Sequence, residues 1–243
     1  MAIILITGAN QGLGYALIKK LSKESKGNTI LLGSRNKSNG EKAIESLSKE
    51  GIEASLIEID ITNDESIDKA VLEIDNKYGK LDILVNNAAI SYDLSTTDFR
   101  DLFNSVLSTN VTSTFIMIKK FKPLLSKSSN AKIVNISSGL GSAQIVIDDT
   151  YGVLPESFYP YTISKAALNM GSILYSKELV KDNIKLVMID PGYCSTNLNG
   201  YLGPKSPSDG VLAAFEAVTT DDWKTGEFLR HEPTDDKLTH NPW

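Results

Sequence analysis

The chain has 243 residues, of which 41% are hydrophobic and 23% charged, as in a folded protein with one large domain or two small ones. Its net charge of −5 argues against nucleic acid or an anionic membrane as the main partner. One cysteine and two histidines exclude an internal disulfide and argue against an ordinary zinc site or a histidine-dependent triad.

Short apolar runs alternate along the chain with amphipathic stretches of helical periodicity. Strands are predicted at residues 3–6, 29–33, 54–59, 81–85, 132–136, 184–189 and 227–229. Helices are predicted at residues 12–23, 41–49, 64–79, 97–126 (bent or broken once), 161–180 and 209–218. This alternation indicates right-handed βαβ units, and strands that are apolar throughout are typical of a sheet buried on both faces.

We therefore predict a single α/β domain over residues 1–243, Rossmann-like and doubly wound, with a mainly parallel seven-stranded sheet and helices on both faces. Two segments stand out. Residues 139–160 form a long stretch rich in Gly, Asp and Pro before a predicted helix, which favours an extended loop near an active site. Residues 231–243 are polar and contain two prolines, which predicts a surface tail at the C-terminal end.

A glycine-rich loop with Gly8, Gly12 and Gly14 follows the first strand and opens the first helix. Such a turn lets the backbone approach a pyrophosphate, and the helix N-terminus offers free N–H groups to it. The spacing differs from the common Gly-x-Gly-x-x-Gly fingerprint, and the Gly-Lys-Ser/Thr of a Walker A loop is missing. The alternative interpretation is a tight strand-to-helix turn without a ligand.

The residue about 20 positions after this loop distinguishes the two nicotinamide cofactors. From Gly14 that count reaches Ser34, where an acidic residue would bind a ribose 2′-hydroxyl. Ser34 does not repel an anion, and the next residue, Arg35, carries a guanidinium suited to a phosphate. The pair favours NADP(H) over NAD, although Arg35 could also be a solvated loop residue.

Other strand ends supply the remaining candidate cofactor contacts, because ligands bind beyond the carboxyl ends of strands in such sheets. Asp60 ends the third strand and could accept a hydrogen bond from an adenine amino group, or could instead cap the next helix. The further candidates in these turns are Asn10, Gln11, Leu13, Ile61, Asn87, Ala88, Ala89, Pro191, Gly192, Tyr193, Ser195 and Thr196.

Tyr161 and Lys165 stand at positions i and i+4 of a predicted helix, so both lie on one face. An ammonium near a phenol would lower its pKa, and such a tyrosine could exchange a proton with a carbonyl oxygen near neutral pH. Ser138, at the end of the fifth strand, could polarise the same oxygen. Taken alone the pair is weak evidence, since many surface helices carry a tyrosine and a lysine four residues apart.

The ordered set of motifs resembles the short-chain dehydrogenase/reductase family over nearly the whole chain. The matching motifs are Thr7-Gly8-x-x-x-Gly12-x-Gly14, Asp60, Asn86-Asn87-Ala88-Ala89, Asn110, Ser138, Tyr161-x-x-x-Lys165 and Pro191-Gly192. Within the family the chain looks most like the NADPH-dependent carbonyl reductases, because of Gly33-Ser34-Arg35-Asn36 and the extended segment 139–160. It departs from the pattern at Ala89, at Gln11 and in the long gap before Tyr161.

The resemblance implies a role for each matching residue. Tyr161 would be the acid in ketone reduction and the base in alcohol oxidation, and Lys165 would bind the nicotinamide ribose. Ser138, rather than Ser137, would orient the substrate oxygen. Asn110 would hold a water that relays protons from Lys165, and residues 191–196 would surround the nicotinamide carboxamide.

These implications predict an enzyme that reduces a small ketone or aldehyde with NADPH. The alternative is a catalytically silent sensor or scaffold that binds a dinucleotide; an NAD-dependent alcohol dehydrogenase and a sugar epimerase are disfavoured. The predicted substrate pocket uses residues 90–94, 139–160 and 193–204, although ordinary loop packing would explain the same side chains. Its apolar members are Tyr92, Ile145, Val146, Tyr151, Phe158, Tyr193 and Leu198.

The sequence also bears on location and assembly. No apolar run approaches the ~18 residues of a membrane helix, and the first residues lack the basic region of a signal peptide. We therefore expect a cytoplasmic protein with no metal, no membrane and no nucleic-acid partner. The resemblance suggests a homodimer or homotetramer built on the long helices around Asn110 and Tyr161, while a monomer stays open.

Overall fold

The computed structural model describes residues 1–91, 98–231 and 237–243, so the pocket candidate Tyr92 lies outside the described residues. One sheet has the strand order β3-β2-β1-β4-β5-β6-β7-β8, which confirms the doubly wound α/β fold. The strands are β1 (Ile3–Ile6), β2 (Thr29–Ser34), β3 (Ser55–Glu58), β4 (Ile83–Asn86), β5 (Ala131–Ile136), β6 (Ile184–Asp190), β7 (Phe228–Arg230) and β8 (Thr239–His240). Strands β1 to β7 are parallel, and β8 is antiparallel to β7.

Helices cover both faces of this sheet. They are α1 (Gly12–Glu24), α2 (Lys37–Lys49), α3 (Asp64–Tyr78), α4 (Phe99–Leu107), α5 (Ser113–Leu125), α6 (Ala143–Ile147), α7 (Tyr159–Leu179), α8 (Pro207–Gly210) and α9 (Leu212–Thr219). Helix α2 begins at Lys37, before the predicted start at Glu41, because the Asn36 side chain accepts a hydrogen bond from the Asn39 N–H. In the described parts of the chain, each helix is too short or too polar to traverse a bilayer.

The predicted break in the stretch 97–126 is a π-helical turn at Ser108–Thr112, between α4 and α5. The hydrogen bonds of a π turn join residues five apart, instead of four apart as in an α-helix, and such turns occur often at functional sites. It places Asn110 on the inner side of the helix, where the residue is buried. From there the Asn110 side chain contacts the loop after β4 and helix α7.

Alternate residues of each strand pack on opposite faces of the sheet, as the apolar strands predict. In β1, Ile4 and Ile6 belong to the core under α1, α2 and α9. Ile3 and Leu5 belong to the second core, under α3, α5 and α7. Strands β1 and β4 lie side by side between the two cores, at the point where the order of strands in the sheet reverses. A crevice forms at this switch point beyond the carboxyl ends of the strands.

The C-terminal stretch differs from the predicted surface tail, and the sheet has an eighth strand. Strand β8 pairs with β7 through Thr239 opposite Arg230. Beyond it, the Asn241 side chain is buried and the Trp243 ring packs 5.7 Å from the Phe228 ring, centroid to centroid. Two residues are too few to show the periodicity of a strand in the sequence.

Buried charges lie at the opposite edge of the sheet, where the strands begin. Lys132 donates to the carbonyl oxygens of Val218 (3.2 Å) and Thr220 (2.5 Å). The Asp82 carboxylate accepts from the Ile3 N–H at 2.8 Å. These groups join strands and loops far from the crevice, so they serve the fold.

Candidate active site

One cleft of about 730 Å³ opens at the carboxyl ends of the strands. It runs from the turns after β1, β2 and β3 at one end to the segment after β5 at the other. The predicted site residues on its walls are Gly8, Asn10, Gln11, Gly12, Leu13, Arg35, Asp60, Ile61, Asn87, Ala88, Ala89, Ser138, Tyr161, Lys165, Pro191, Gly192, Tyr193 and Thr196. The fold thus brings most of the predicted residues to one surface.

The turn after β1 is shaped by glycine. Gly8 has φ +62°, and a Cβ there would lie 2.9 Å from the Cα of Ala88, so the two turns touch backbone to backbone. The Thr7 hydroxyl accepts from the N–H groups of Asn87 and Ala88, each at 3.0 Å. The Asn87 amide donates back to the Thr7 carbonyl at 2.8 Å. These bonds lock the exits of β1 and β4 together.

The N-terminus of α1 faces this turn. Its N-cap residue, Gln11, makes no side-chain capping bond, and the first turn contains no acidic residue. The backbone N–H groups and the positive end of the helix dipole therefore favour an anion there. Gly14 lies behind the cleft wall instead, where a Cβ would come 2.8 Å from the Cα of Ala9. This glycine serves the packing of helix against turn rather than direct contact with a ligand.

At the end of β2 the structure separates the two residues predicted to choose the cofactor. Ser34 is only 2% exposed and its hydroxyl donates to the Asn36 carbonyl at 2.9 Å, so it does not reach the cleft. Arg35 is exposed on the cleft wall. Of Ser34 and Arg35, only Arg35 is therefore placed to meet a phosphate.

Asp60, after β3, accepts from both the N–H and the hydroxyl of Thr62, at 2.9 and 2.7 Å.

Tyr161 and Lys165 lie one turn apart in α7, on the face towards the cleft. The Lys165 ammonium lies 5.5 Å from the centroid of the Tyr161 ring and donates to the Ile136 carbonyl at 2.8 Å. Ser138 is hydrogen bonded to the Tyr161 hydroxyl. Ser137, by contrast, is buried and donates to the Asn169 amide oxygen at 2.6 Å. The geometry therefore joins Ser138, and not Ser137, to the tyrosine.

The pKa of Tyr161 differs from the prediction in its direction. Burial raises the pKa of the phenol, the hydrogen bond with Ser138 opposes this, and the nearby Asp190 and Cys194 raise it further. These groups keep the phenol protonated. Lys165 is not among the groups that shift the pKa of Tyr161, so the prediction that Lys165 lowers this pKa is wrong. Burial lowers the pKa of Lys165 to about 8, so most of this lysine is still charged at pH 7.

Asn110 lies behind the cleft wall. Its amide group donates to the Ile90 carbonyl (2.8 Å) and to the Ser164 hydroxyl (3.0 Å), and its oxygen accepts from the Ile90 N–H at 2.9 Å. The backbone carbonyl of Asn110 accepts from the Thr114 hydroxyl at 3.0 Å. The side chain thus ties the loop after β4 to α7. Its part in a water relay stays a prediction.

At the substrate end of the cleft, some of the predicted lining residues are present and others are not. Tyr151, Phe158, Tyr193 and Leu198 are on its walls. Three further candidates do not line the cleft: Ile145 is buried, Val146 is exposed outside the cleft, and the Ser195 hydroxyl donates to the Tyr201 carbonyl.

Four residues on the cleft walls were not named as candidates, namely Ile59, Thr62, Thr109 and Ile136, the last residue of β5. The strand-end rule that selects Asp60 would also have selected Ile59 and Thr62, its near neighbours after β3. Thr109 lies in the π-helical turn, and the sequence carries no signal for its position.

Comparisons with known proteins match this architecture. The family model for short chain dehydrogenases matches residues 2–207. The short-chain dehydrogenase anuI of Penicillium roqueforti is 38% identical over 224 residues, which cover 89% of this chain and 88% of the relative. The carbonyl reductase Sniffer of D. melanogaster superposes with a TM-score of 0.83 at 28% identity, over 100% of both chains. The NADPH-bound carbonyl reductase from chicken fatty liver gives a TM-score of 0.81 at 25% identity, over 95% of this chain and 96% of that one. The chain therefore belongs to the short-chain dehydrogenase/reductase family.

Proposed function

We propose that this protein reduces a neutral ketone or aldehyde to the alcohol with NADPH. The observation that carries the proposal is that one cleft has an anion-binding turn at one end and Ser138, Tyr161 and Lys165 towards the other. Membership of the family supports an oxidoreductase, and the NADPH-bound carbonyl reductase among the similar structures supports this cofactor.

The residues of the cleft fit the parts of NADPH. Gly8, Gly12 and the N-terminus of α1 would hold the pyrophosphate, and Arg35 the 2′-phosphate. Lys165 would donate to the hydroxyls of the nicotinamide ribose. The remaining proposed contacts, to adenine, to the ribose rings or to the carboxamide, are Asn10, Gln11, Leu13, Asp60, Ile61, Asn87, Ala88, Ala89, Pro191, Gly192, Tyr193 and Thr196. When bound, the reduced nicotinamide supplies the hydride.

Ser138 and Tyr161 would donate hydrogen bonds to the substrate carbonyl, which stabilises the negative charge that develops on its oxygen. Tyr161 then transfers its proton to that oxygen, and its raised pKa means that this proton is in place at neutral pH. The Lys165 ammonium would meanwhile hold the nicotinamide ribose beside the phenol. Asn110 would hold the water through which the proton is replaced.

The substrate end of the cleft supports a neutral, apolar substrate. Tyr151, Phe158, Tyr193 and Leu198 supply aromatic and aliphatic surface. Among the described residues that line the cleft, the charged ones are Arg35, Asp60 and Lys165, all assigned above to the cofactor or the reaction. A carboxylate or phosphate on the substrate would therefore be desolvated without a partner.

A panel of carbonyl compounds tests the proposal. Purified protein with NADPH and neutral aromatic or aliphatic ketones should lose NADPH absorbance, whereas matched keto acids should react far more slowly. Binding of NADPH without turnover of any neutral carbonyl would favour the silent sensor or scaffold instead.

The cofactor preference depends on Arg35. In Arg35→Ala we expect the ratio of kcat/KM for NADPH to that for NADH to fall by about 10–100-fold, because a charge-assisted contact to the 2′-phosphate is lost. Arg100→Ala, which removes another exposed arginine outside the cleft, is the matched control and should leave the ratio unchanged. An unchanged ratio in Arg35→Ala would exclude the guanidinium from this role.

The pH dependence of reduction should follow Lys165. This lysine is charged below its pKa of about 8 and neutral above it. We expect kcat/KM to be flat up to about pH 7.5 and then to fall about tenfold per pH unit. Tyr161 stays protonated through this range, because its pKa is raised. The fall in kcat/KM near pH 8 should disappear in Lys165→Met. If the fall persists in that variant, another group causes it.

A further inference from the structure

Asp190 is the last residue of β6 and stands directly before Pro191-Gly192, the turn assigned above to the nicotinamide end of the cleft. Its side chain does not line the cleft, and the residue is 5% exposed. Burial of a carboxylate is costly unless hydrogen bonds compensate for the lost water. The reaction outlined above makes no use of this group.

The contacts of the Asp190 carboxylate join three segments that are distant in sequence. One oxygen accepts from the Gly192 N–H at 2.9 Å, and the other accepts from the Asn241 amide at 3.2 Å. The N–H of Gly139 also donates to the carboxylate. Arg230 donates to the Asn241 amide oxygen at 3.2 Å, and its positive charge stabilises the buried carboxylate. The acidic group therefore connects the turns after β5 and β6 with the C-terminal segment.

The contact with Gly139 is close. A Cβ at Gly139 would lie 2.9 Å from Oδ2 of Asp190 and 2.7 Å from the Tyr151 hydroxyl oxygen, so a side chain there would have to displace these groups. Gly139 directly follows Ser138, whose hydroxyl is hydrogen bonded to Tyr161. The carboxylate thus holds the backbone immediately behind that serine.

We propose that Asp190 is a positioning residue for the reaction: its carboxylate fixes the Ser138-Gly139 backbone against the Pro191-Gly192 turn. Asn241 reaches in from the C-terminal segment and orients the carboxylate through its second oxygen. This inference rests on the proposed function, because it assigns Asp190 an effect that passes through Ser138. Small misplacements of a catalytic donor are known to cost large factors in rate.

Asp190→Asn tests this role with little change in shape. The amide can keep its oxygen towards Gly192, but it then presents an NH₂ group to the N–H of Gly139 and to the amide of Asn241. We expect kcat to fall about tenfold with an unchanged KM for NADPH, since one charge-assisted hydrogen bond is lost. In a Ser138→Ala background the same change should alter kcat less than about twofold, because the donor that it misplaces is already absent.

Asp82→Asn is the matched control, since Asp82 is a buried, hydrogen-bonded carboxylate at the opposite edge of the sheet. It should lower the melting temperature and leave kcat unchanged. If Asp190→Asn does not fold, Asn241→Ala provides the same test. It should lower kcat about threefold, and this loss should again depend on the presence of Ser138.

The outcomes separate this inference from the proposed function. Wild-type kcat in Asp190→Asn, or an equal loss in both backgrounds, overturns the positioning role and leaves the proposed reaction intact. Wild-type kcat in Ser138→Ala overturns the serine's part in the proposed reaction, and the positioning role with it.

Discussion

Tyr161→Phe is expected to lower kcat for carbonyl reduction by about 10²–10⁴-fold, the usual contribution of a positioned general acid. The substitution removes only the hydroxyl that donates the proton, and the ring keeps its place beside Lys165. NADPH should therefore bind as before, because the proposed cofactor contacts lie in the turns and in Lys165. Single-turnover absorbance measures the chemical step, and fluorescence titration measures the binding of NADPH.

Tyr159→Phe is the matched control for this variant. Tyr159 begins the same helix and is 46% exposed. Loss of its hydroxyl should leave kcat within about twofold, as is usual for a surface substitution. A Tyr161→Phe enzyme with wild-type turnover would remove the phenol from the reaction.

Ser138→Ala is expected to lower kcat by about 10²–10³-fold, as the loss of one donor to a developing oxyanion does in other enzymes. The change also removes the hydrogen bond to Tyr161, which opposes the effect of burial on the phenol's pKa. The pKa of Tyr161 should then rise further, so the reverse oxidation, which needs the phenolate, should require a higher pH. Comparison of kcat/KM in the two directions across pH measures both effects.

The neighbouring serine provides the control. Ser137→Ala removes a buried donor to Asn169 at 2.6 Å and should lower the free energy of unfolding by about 1 kcal/mol with kcat nearly unchanged. If Ser137→Ala instead lost turnover and Ser138→Ala kept it, the assignment of the two residues would be reversed.

The sequence predicts well those features that depend on short-range patterns. The apolar runs of β1 to β7 mark the sheet, and polar or glycine residues mark the ends of strands where the cleft forms. Tyr161 and Lys165 share a helix face by spacing alone. Asn36 illustrates the limit, because it has the residue type of a helix cap, yet its use as one depends on a contact with the Asn39 N–H.

Features that depend on distant contacts were not accessible in the same way. The sequence places Ser34 beside Arg35 but cannot show that its hydroxyl turns to Asn36 and stays buried. The pKa of Tyr161 depends on burial and on Asp190, which is distant in sequence. Asp190 itself carries no local motif beyond its place before Pro191.

Strand β8 also has a consequence for the behaviour of the protein at high concentration. An exposed strand at the flank of a sheet can recruit strands from other molecules, which leads to aggregation. Here β8 covers the flank of β7 with only two residues, in the reverse direction, and the chain then turns inward at the buried Asn241. In the part of the chain that the structure describes, this flank therefore offers incoming chains only a short row of hydrogen-bonding groups.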